Sequence, residues 1–256
     1  MWFGVISLFP AMFEALNAGI TGKAIKNQIV KIEYWNPRDF ATDKHQCVDD
    51  HPYGGGPGML MMSHPLRAAI HAAKKAVGNK PHVIYLSPQG RLFNQAMANE
   101  LSTKKSVILV AGRYEGIDER IIQQEIDEEW SIGNYILTGG ELAAMIVMDT
   151  TIRLLPDVVG DQNSVLQDSL ANGLLKYPQY TRPAILSDAK VPAVLLSGHH
   201  QAIKTWRLKM SLGNTWLKRP DLLAEKWLTA QELILLNEFI SDFLKARPFC
   251  KPAEDA

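Results

Sequence analysis

Three apolar runs in this sequence each lie at a loop rich in glycine, proline or polar residues. Residues 83–84 lead into the loop 85–90, residues 107–110 lead into 112–118, and the third run lies within 131–141. The runs alternate with segments of helical periodicity, a pattern typical of a mostly parallel sheet. Ligands bind beyond the carboxyl ends of such strands. The sequence therefore predicts an α/β domain whose ligand site is made by these three loops.

The stretch 131–141 reads S-I-G-N-Y-I-L-T-G-G-E. Its apolar residues predict a short buried strand, namely Ile132, Tyr135, Ile136 and Leu137. Thr138 and Glu141 have capping-box spacing, which predicts a helix over residues 139–148. The glycines leave room for main-chain groups to hold a nucleotide-like ligand. An ordinary strand-to-helix turn explains this stretch equally well.

Hydrophobic patterning predicts the other elements of the first domain. Strands are expected at residues 3–9, 29–35, 82–86 and 106–111. Helices are expected from about residue 12, from Ser63 as N-cap, and at 94–101 and 118–124. Residues 36–57 are polar and turn-rich and end in a glycine-rich segment, residues 53–59. That segment lacks the Gly-Lys-Ser/Thr of a P-loop, so it is interpreted as a mobile surface loop.

A second, smaller domain follows a polar linker. The predicted boundaries are residues 1–156 for the first domain, 157–172 for the linker and 173–250 for a small all-helical domain. Thr229 and Glu232 predict a capping box at the last helix. Its apolar face is expected to comprise Leu233, Leu236, Phe239, Ile240, Phe243 and Leu244.

Composition and charge limit the class of protein. In 256 residues, 27 basic side chains balance 27 acidic ones, so the net charge does not indicate nucleic-acid binding. The distribution is more informative, because residues 189–220 carry six basic residues and no acidic one. Such a segment suits a phosphate-facing surface, and a solvated helix face is the alternative.

The sequence lacks the features of membrane and secreted proteins. No apolar run reaches the ~18–20 residues of a membrane span, and the N-terminus lacks a signal-peptide pattern. Cys47 and Cys250 are far apart and have no metal-binding spacing, which argues against a disulfide framework. A cytoplasmic protein is the expectation.

The loops also carry a family resemblance. The strings Y-L-S-P-Q-G, G-R-Y-E-G-I-D-E-R and S-I-G-x-Y-x-L-T-G-G-E occur in this order. With them the sequence resembles the bacterial tRNA (guanine-N1)-methyltransferases of the knotted SPOUT class, from Trp2 to roughly Leu244. The resemblance implies a deep trefoil knot in the α/β domain. The sequence pattern by itself does not indicate a knot, because threaded chains are very rare.

The resemblance also implies the reaction and its donor. Methyl transfer from S-adenosylmethionine to N1 of the guanine just 3′ of the tRNA anticodon is expected. The implied donor-binding residues are Tyr85, Leu86, Ser87, Pro88, Gln89, Gly112, Tyr114, Gly116, Ser131, Ile132, Gly133, Asn134, Tyr135, Ile136, Leu137, Gly139 and Gly140. His51, Asn134 and Ala143 depart from the usual family pattern.

Three residues carry the expected chemistry. N1 of guanine bears a proton, so the reaction needs a base, and charge develops on the neighbouring ring oxygen. By resemblance, Asp168 matches the family's general base and Arg153 matches the arginine that stabilises this charge. Glu115 could contact the target base or a metal, or pair with Arg113 or Arg120 instead. The pattern contains no metal-ligand cluster, although Glu115, Asp168 or RNA phosphate could recruit magnesium.

The resemblance further implies a homodimer with shared active sites, bound to the tRNA anticodon stem-loop. The basic second domain would contact phosphates through Lys204, Arg207, Lys209, Lys218 and Arg219. Two alternatives are another SPOUT RNA methyltransferase, acting on a ribose hydroxyl or a different base, and a non-catalytic RNA-binding protein. Asp168 with Arg153 argues against the first, and an intact donor loop argues against the second.

Overall fold

A computed structural model describes residues 1–160, 168–170 and 172–246. The chain forms two compact units, Met1–Gln162 and Asn163–Ala256. Residues 161–167 and 171 of the predicted linker lie outside the described residues. In the described part of the chain, no helix combines the length and the apolar character that crossing a membrane requires.

The first unit is built on a five-stranded sheet. Its strands are β1 (Trp2–Ile6), β2 (Lys31–Trp35), β5 (His82–Leu92), β6 (Ser106–Ala111) and β7 (Glu128–Ser131). They lie in the order β2-β1-β6-β5-β7, and each neighbouring pair is parallel. Two short strands, β3 (Asp49–Asp50) and β4 (Leu60–Met61), pair separately and antiparallel. The predicted α/β class with a parallel sheet is confirmed.

Helices cover both faces of this sheet. They are α1 (Gly19–Lys26), α2 (Ser63–Val77), α3 (Gln95–Ser102), α4 (Glu119–Glu125) and α5 (Glu141–Ile152), with 3-10 turns at Pro10–Asn17 and Pro37–Phe40. In β6, Val107 and Leu109 join the core under α3 and α5, whereas Ile108 and Val110 join the core under α2. All of β6 is buried because it is central and covered on both sides.

Three local predictions about the first unit are wrong. The buried strand ends at Ser131 rather than including 132–137, and Tyr135 and Ile136 are 53% and 80% exposed. Helix α5 begins at Glu141 without a side-chain cap, because the Glu141 carboxylate is held by tertiary partners instead of its own helix. Ser63 is the first residue of α2 rather than its cap. Asn94 and Asp118, in contrast, cap α3 and α4.

The second unit contains a short hairpin and a helical core. The hairpin strands are β8 (Ile185–Leu186) and β9 (Ala189–Lys190), and the helices are α6 (Ala193–Leu196), α7 (His200–Lys218), α8 (Pro220–Ala224) and α9 (Ala230–Ala246). The hairpin contradicts the prediction that the second domain is all-helical. Leu212 of α7 packs with Leu235 and Leu236 of α9 in the core.

The predictions for helix α9 meet mixed outcomes. The capping box is confirmed: Glu232 Oε2 accepts from the Thr229 amide at 2.8 Å, and Thr229 Oγ1 accepts from the Glu232 amide at 3.2 Å. The predicted apolar face is partly wrong, because Leu233 and Leu244 are exposed and Leu235 is buried. In this helix, the direction from which α7 packs decides which leucines are covered.

Candidate functional site

A cavity of about 240 Å³ lies where the middle of β5 meets the carboxyl ends of β6 and β7. Of the predicted donor-binding residues, all except Gln89 and Asn134 line it: Tyr85, Leu86, Ser87, Pro88, Gly112, Tyr114, Gly116, Ser131, Ile132, Gly133, Tyr135, Ile136, Leu137, Gly139 and Gly140. Arg113, Glu115, Trp130 and Ala143 complete the wall. The three predicted segments thus meet at one place, as expected for adjacent parallel strands. The prediction that 85–90 is a loop is wrong, because this segment lies within β5, whose pairing with β7 shifts register between Leu86 and Arg91.

Close backbone approach joins two of these loops. The Gly140 amide donates to the Gly112 carbonyl at 2.8 Å. A Cβ atom at Gly140 would lie 2.8 Å from Ala111 Cα, which is closer than real Cβ atoms come to backbone. Gly140 therefore lets the start of α5 lie directly against the end of β6, and a side chain there would separate the two loops.

The loop between β7 and α5 leaves its main chain available to a ligand. Within the described residues, the amides of residues 134–139 donate to no protein acceptor. Most of these residues line the cavity. Unpaired main-chain N–H groups are costly once desolvated, so their grouping at a cavity wall suits a ligand that accepts hydrogen bonds and has apolar parts.

Three tyrosines line the described wall of the cavity, and the pKa values of two of them are raised. Burial, reinforced by Glu129, raises the pKa of Tyr85 to about 12, so its phenol stays neutral across the physiological range. Burial raises the pKa of Tyr114, and the neighbouring carboxylate of Asp49 raises it further. Tyr114 has a left-handed backbone with φ of 61°, an unusual conformation for a non-glycine residue and one found often at functional sites.

Sequence reasoning missed a buried ionic network beside the cavity. Arg113 Nε lies 2.9 Å from Glu141 Oε2, off the hydrogen-bonding direction, and the Ser7 hydroxyl donates to Glu141 Oε1 at 2.9 Å. Arg113 also donates to the Thr138 carbonyl at 3.1 Å, and its guanidinium lies 4.5 Å from the centre of the Phe9 ring. The network therefore ties together the ends of β1 and β6 and the start of α5.

A sequence signal for this network existed but favoured another interpretation. Glu141 stands at the first turn of an apolar helix, and its spacing from Thr138 matches a local cap. Its actual partners, Ser7 and Arg113, are distant in sequence. The pairing depends on the sheet order, which no local pattern contains.

The glycine-rich segment contacts the loop that carries Glu115. The Glu115 amide donates to the Met59 carbonyl at 2.9 Å, and the Met61 amide donates to the Gly116 carbonyl at 3.0 Å. A Cβ atom at Gly58 would overlap the Glu115 side chain. Gly58 thus allows the Glu115 carboxylate to lie at the cavity wall, which supports a role for Glu115 toward a bound substrate.

The three predicted catalytic residues lie on different elements of the chain. Glu115 lines the cavity. Arg153 is the C-cap of α5, roughly 18 Å along the helix axis from Glu141 at ~1.5 Å per residue, and therefore at the opposite end from the cavity. Asp168 belongs to the second unit, where its Oδ1 accepts from Lys176 Nζ at 3.0 Å.

The five predicted RNA-binding residues lie on α7 or at its end. Lys209 is engaged by Asp242 at 2.9 Å and Glu238 at 3.3 Å, and Arg219 is paired with Asp221 at 2.6 Å. Within the described residues, Lys204, Arg207 and Lys218 form no ion pair. These three therefore offer the stronger positive field to a polyanion.

No metal centre is evident in the part of the chain that the structure describes. No group of three or more His, Cys, Asp or Glu side chains is placed there to hold a metal ion. Glu125, the most strongly engaged carboxylate, is bound instead by Arg67, His71 and Lys74. Although desolvation raises its pKa, these hydrogen bonds outweigh it and lower the pKa to about 2.

Comparison with known proteins identifies relatives along most of the chain. A family model described as tRNA (Guanine-1)-methyltransferase TrmD matches residues 1–225. Relatives named tRNA (guanine-N(1)-)-methyltransferase include one from Photobacterium profundum, 59% identical over 244 residues, covering 95% of this chain and 98% of the relative. Another, from Klebsiella pneumoniae (strain 342), is 59% identical over 243 residues, covering 94% and 95%.

Proposed function

This chain belongs to the tRNA (guanine-1)-methyltransferase family, and on that premise we propose that it methylates tRNA with S-adenosylmethionine as donor. The acceptor is N1 of the guanine immediately 3′ of the anticodon. The observation that carries the proposal is the cavity between the middle of β5 and the carboxyl ends of β6 and β7, whose walls combine unpaired amides, close glycines and a carboxylate.

The chemistry of the cavity fits such a donor. S-adenosylmethionine supplies an electrophilic methyl group on a sulfonium. The amides of residues 134–139 would donate to its polar atoms, while Leu86, Ile132 and Tyr114 would pack against its adenine. Tyr85, a neutral phenol, would add a hydrogen-bonding group without a charge.

The roles of the side chains follow from the needs of the acceptor. Asp168 would accept the proton of guanine N1, and Arg153 would stabilise the negative charge that develops on the neighbouring oxygen. Lys176 holds the Asp168 carboxylate at 3.0 Å, so this contact must open or be shared when the base binds. Glu115 would orient the guanine from the cavity wall. We also propose that Glu115 can recruit a magnesium ion.

A homodimer with shared sites accounts for the position of Arg153. Arg153 lies at the far end of α5 from the cavity, so a partner chain is the natural source of this arginine and of Asp168. Helix α5 also presents apolar side chains to solvent: Leu142 is 47% and Ile146 is 44% exposed, and Ile20 beside them is 46% exposed. A second copy would cover this surface. We further propose that the first unit contains the trefoil knot and that α7 contacts RNA phosphates.

The first experiment uses labelled S-adenosylmethionine and two unmodified tRNA transcripts. One carries guanine 3′ of the anticodon and the other carries a different base there. Label on the first transcript alone, lost in Asp168→Asn, is expected. Label on both transcripts would show that the acceptor is another nucleotide or a ribose hydroxyl. Donor and tRNA binding without transfer would instead favour a non-catalytic binding protein.

Mixed dimers test the shared site. Asp168→Asn leaves the donor cavity intact, whereas Gly140→Ala disturbs it and leaves Asp168 intact. If the sites are shared, co-refolding the two inactive variants restores one complete site in each mixed dimer, about a quarter of wild-type activity for random pairing. Activity that stays at the level of the separate variants would contradict sharing.

A further inference from the structure

The second unit contains a groove of about 600 Å³ that the proposed reaction does not use. Two tyrosines and two arginines line it, Tyr177, Tyr180, Arg182 and Arg207, above apolar side chains that include Val191 and Ile203. No acidic residue is among the described residues of its wall. The groove therefore combines aromatic faces with positive charge alone.

The aromatic and cationic groups of the groove are arranged together. The Arg207 guanidinium lies over the Tyr177 ring, 4.9 Å from its centre, in a cation–π contact. Tyr180 is 50% exposed, and Leu196 on the same groove is exposed as well. The half-exposed ring of Tyr180, on a groove that arginines also line, is a surface onto which another planar group can stack.

The surroundings favour a polyanion as the occupant. Residues 177–218 carry six Lys or Arg side chains and one acidic residue, Asp188. Lys204 lies one turn before Arg207 on α7 and is exposed. An occupant that fits this groove must offer both planar groups for the aromatic faces and negative charge for the arginines. Bases stacked on aromatic rings, with phosphates at arginines, satisfy both features.

We propose that this groove binds an unstacked base of the tRNA anticodon loop, distinct from the guanine that enters the donor cavity. Tyr180 stacks on the base, and Arg182 and Arg207 contact the flanking phosphates. The inference rests on the proposed function, since it takes tRNA as the substrate. It assigns to the second unit a base-binding role beyond general phosphate attraction.

The test uses the full-length protein and an anticodon stem-loop RNA in which 2-aminopurine replaces one loop base at a time. Tyr180→Leu keeps an apolar side chain but removes the ring. Its matched control is Trp227→Leu, which removes an aromatic ring that is 97% exposed in the same unit and outside the groove wall. Fluorescence anisotropy gives the RNA affinity, and 2-aminopurine emission reports stacking.

Stacking of one base predicts that Tyr180→Leu binds the stem-loop about 5- to 150-fold more weakly, with Trp227→Leu near wild type. At one loop position other than the target guanine, 2-aminopurine should be quenched by wild-type protein and not by Tyr180→Leu. Arg182→Gln should reduce the dependence of log Kd on log salt by about 0.7. Affinity for S-adenosylmethionine should not change.

Two results would overturn the inference. If the wild-type protein methylates the tRNA and Tyr180→Leu leaves RNA affinity and 2-aminopurine quenching unchanged, the groove does not bind a base. The proposed function would then stand without this inference. Equal losses in Tyr180→Leu and Trp227→Leu would show a general effect on the unit rather than stacking in the groove. If wild-type protein binds RNA through the groove but transfers no methyl group, the proposed function fails instead.

Discussion

Replacing Glu141 by Gln tests whether the buried ionic network stabilises the first unit. The Glu141 side chain is 1% exposed and Arg113 is 17% exposed, so solvent screens the pair weakly. Glutamine keeps the volume and an oxygen to accept from the Ser7 hydroxyl. It removes the charge that faces Arg113 and the favourable acidic group in the first turn of α5.

The magnitude follows from leaving Arg113 without its counter-charge. Breaking a buried pair from one side costs about 3–5 kcal/mol. Arg113 keeps the Thr138 carbonyl and the Phe9 ring, so the lower end, about 3 kcal/mol, is expected. At ~2–4 °C per kcal/mol for a unit of this size, the melting temperature of the first unit should fall by roughly 6–12 °C.

Calorimetry or urea unfolding of the full-length protein measures this loss. The control Asp221→Asn removes an exposed pair with Arg219 and should change stability by less than about 1 kcal/mol. The double variant Arg113→Met/Glu141→Gln should be more stable than the sum of the single changes predicts, because no unpaired charge remains. A Glu141→Gln variant within about 0.5 kcal/mol of wild type, or strict additivity, would refute the reasoning.

Three further predictions concern other positions. Gly140→Ala places a Cβ 2.8 Å from Ala111 Cα, so it should destabilise the first unit by about 1–3 kcal/mol and weaken S-adenosylmethionine binding in calorimetric titration; wild-type affinity would contradict the close approach. The folded-state pKa of Glu125 is lowered to about 2, so the ionised carboxylate stabilises the fold above about pH 4.5. This stabilisation, on the order of 3 kcal/mol, is lost as the pH falls from about 4.5 to 2. Acid titration of unfolding should show a smaller loss of stability in Glu125→Gln than in wild type. Thr229→Ala removes a helix cap and should cost about 1 kcal/mol in urea unfolding, whereas Thr229→Ser should stay near wild type.

The sequence predicted the features that depend on local chemistry. Apolar runs such as 106–111 predicted β6, hydrophobic patterning predicted helices near 94–101 and 118–124, and the Thr229 capping box predicted the start of α9, because hydrophobic period and capping act over a few residues. The three strand-end loops were also predicted to form one ligand site, since parallel strands place their carboxyl ends at one edge.

The tertiary structure decided the features that depend on distant residues. Glu141 has the spacing of a local cap, yet it faces Arg113 and Ser7, because the order β2-β1-β6-β5-β7 brings the ends of β1 and β6 together. Ile136 belongs to an apolar stretch typical of a buried strand. It is nevertheless exposed at the cavity wall, because the pairing of β7 ends at Ser131. Local pattern determines which segments fold into strands and helices, whereas the order of the strands determines which of their side chains meet.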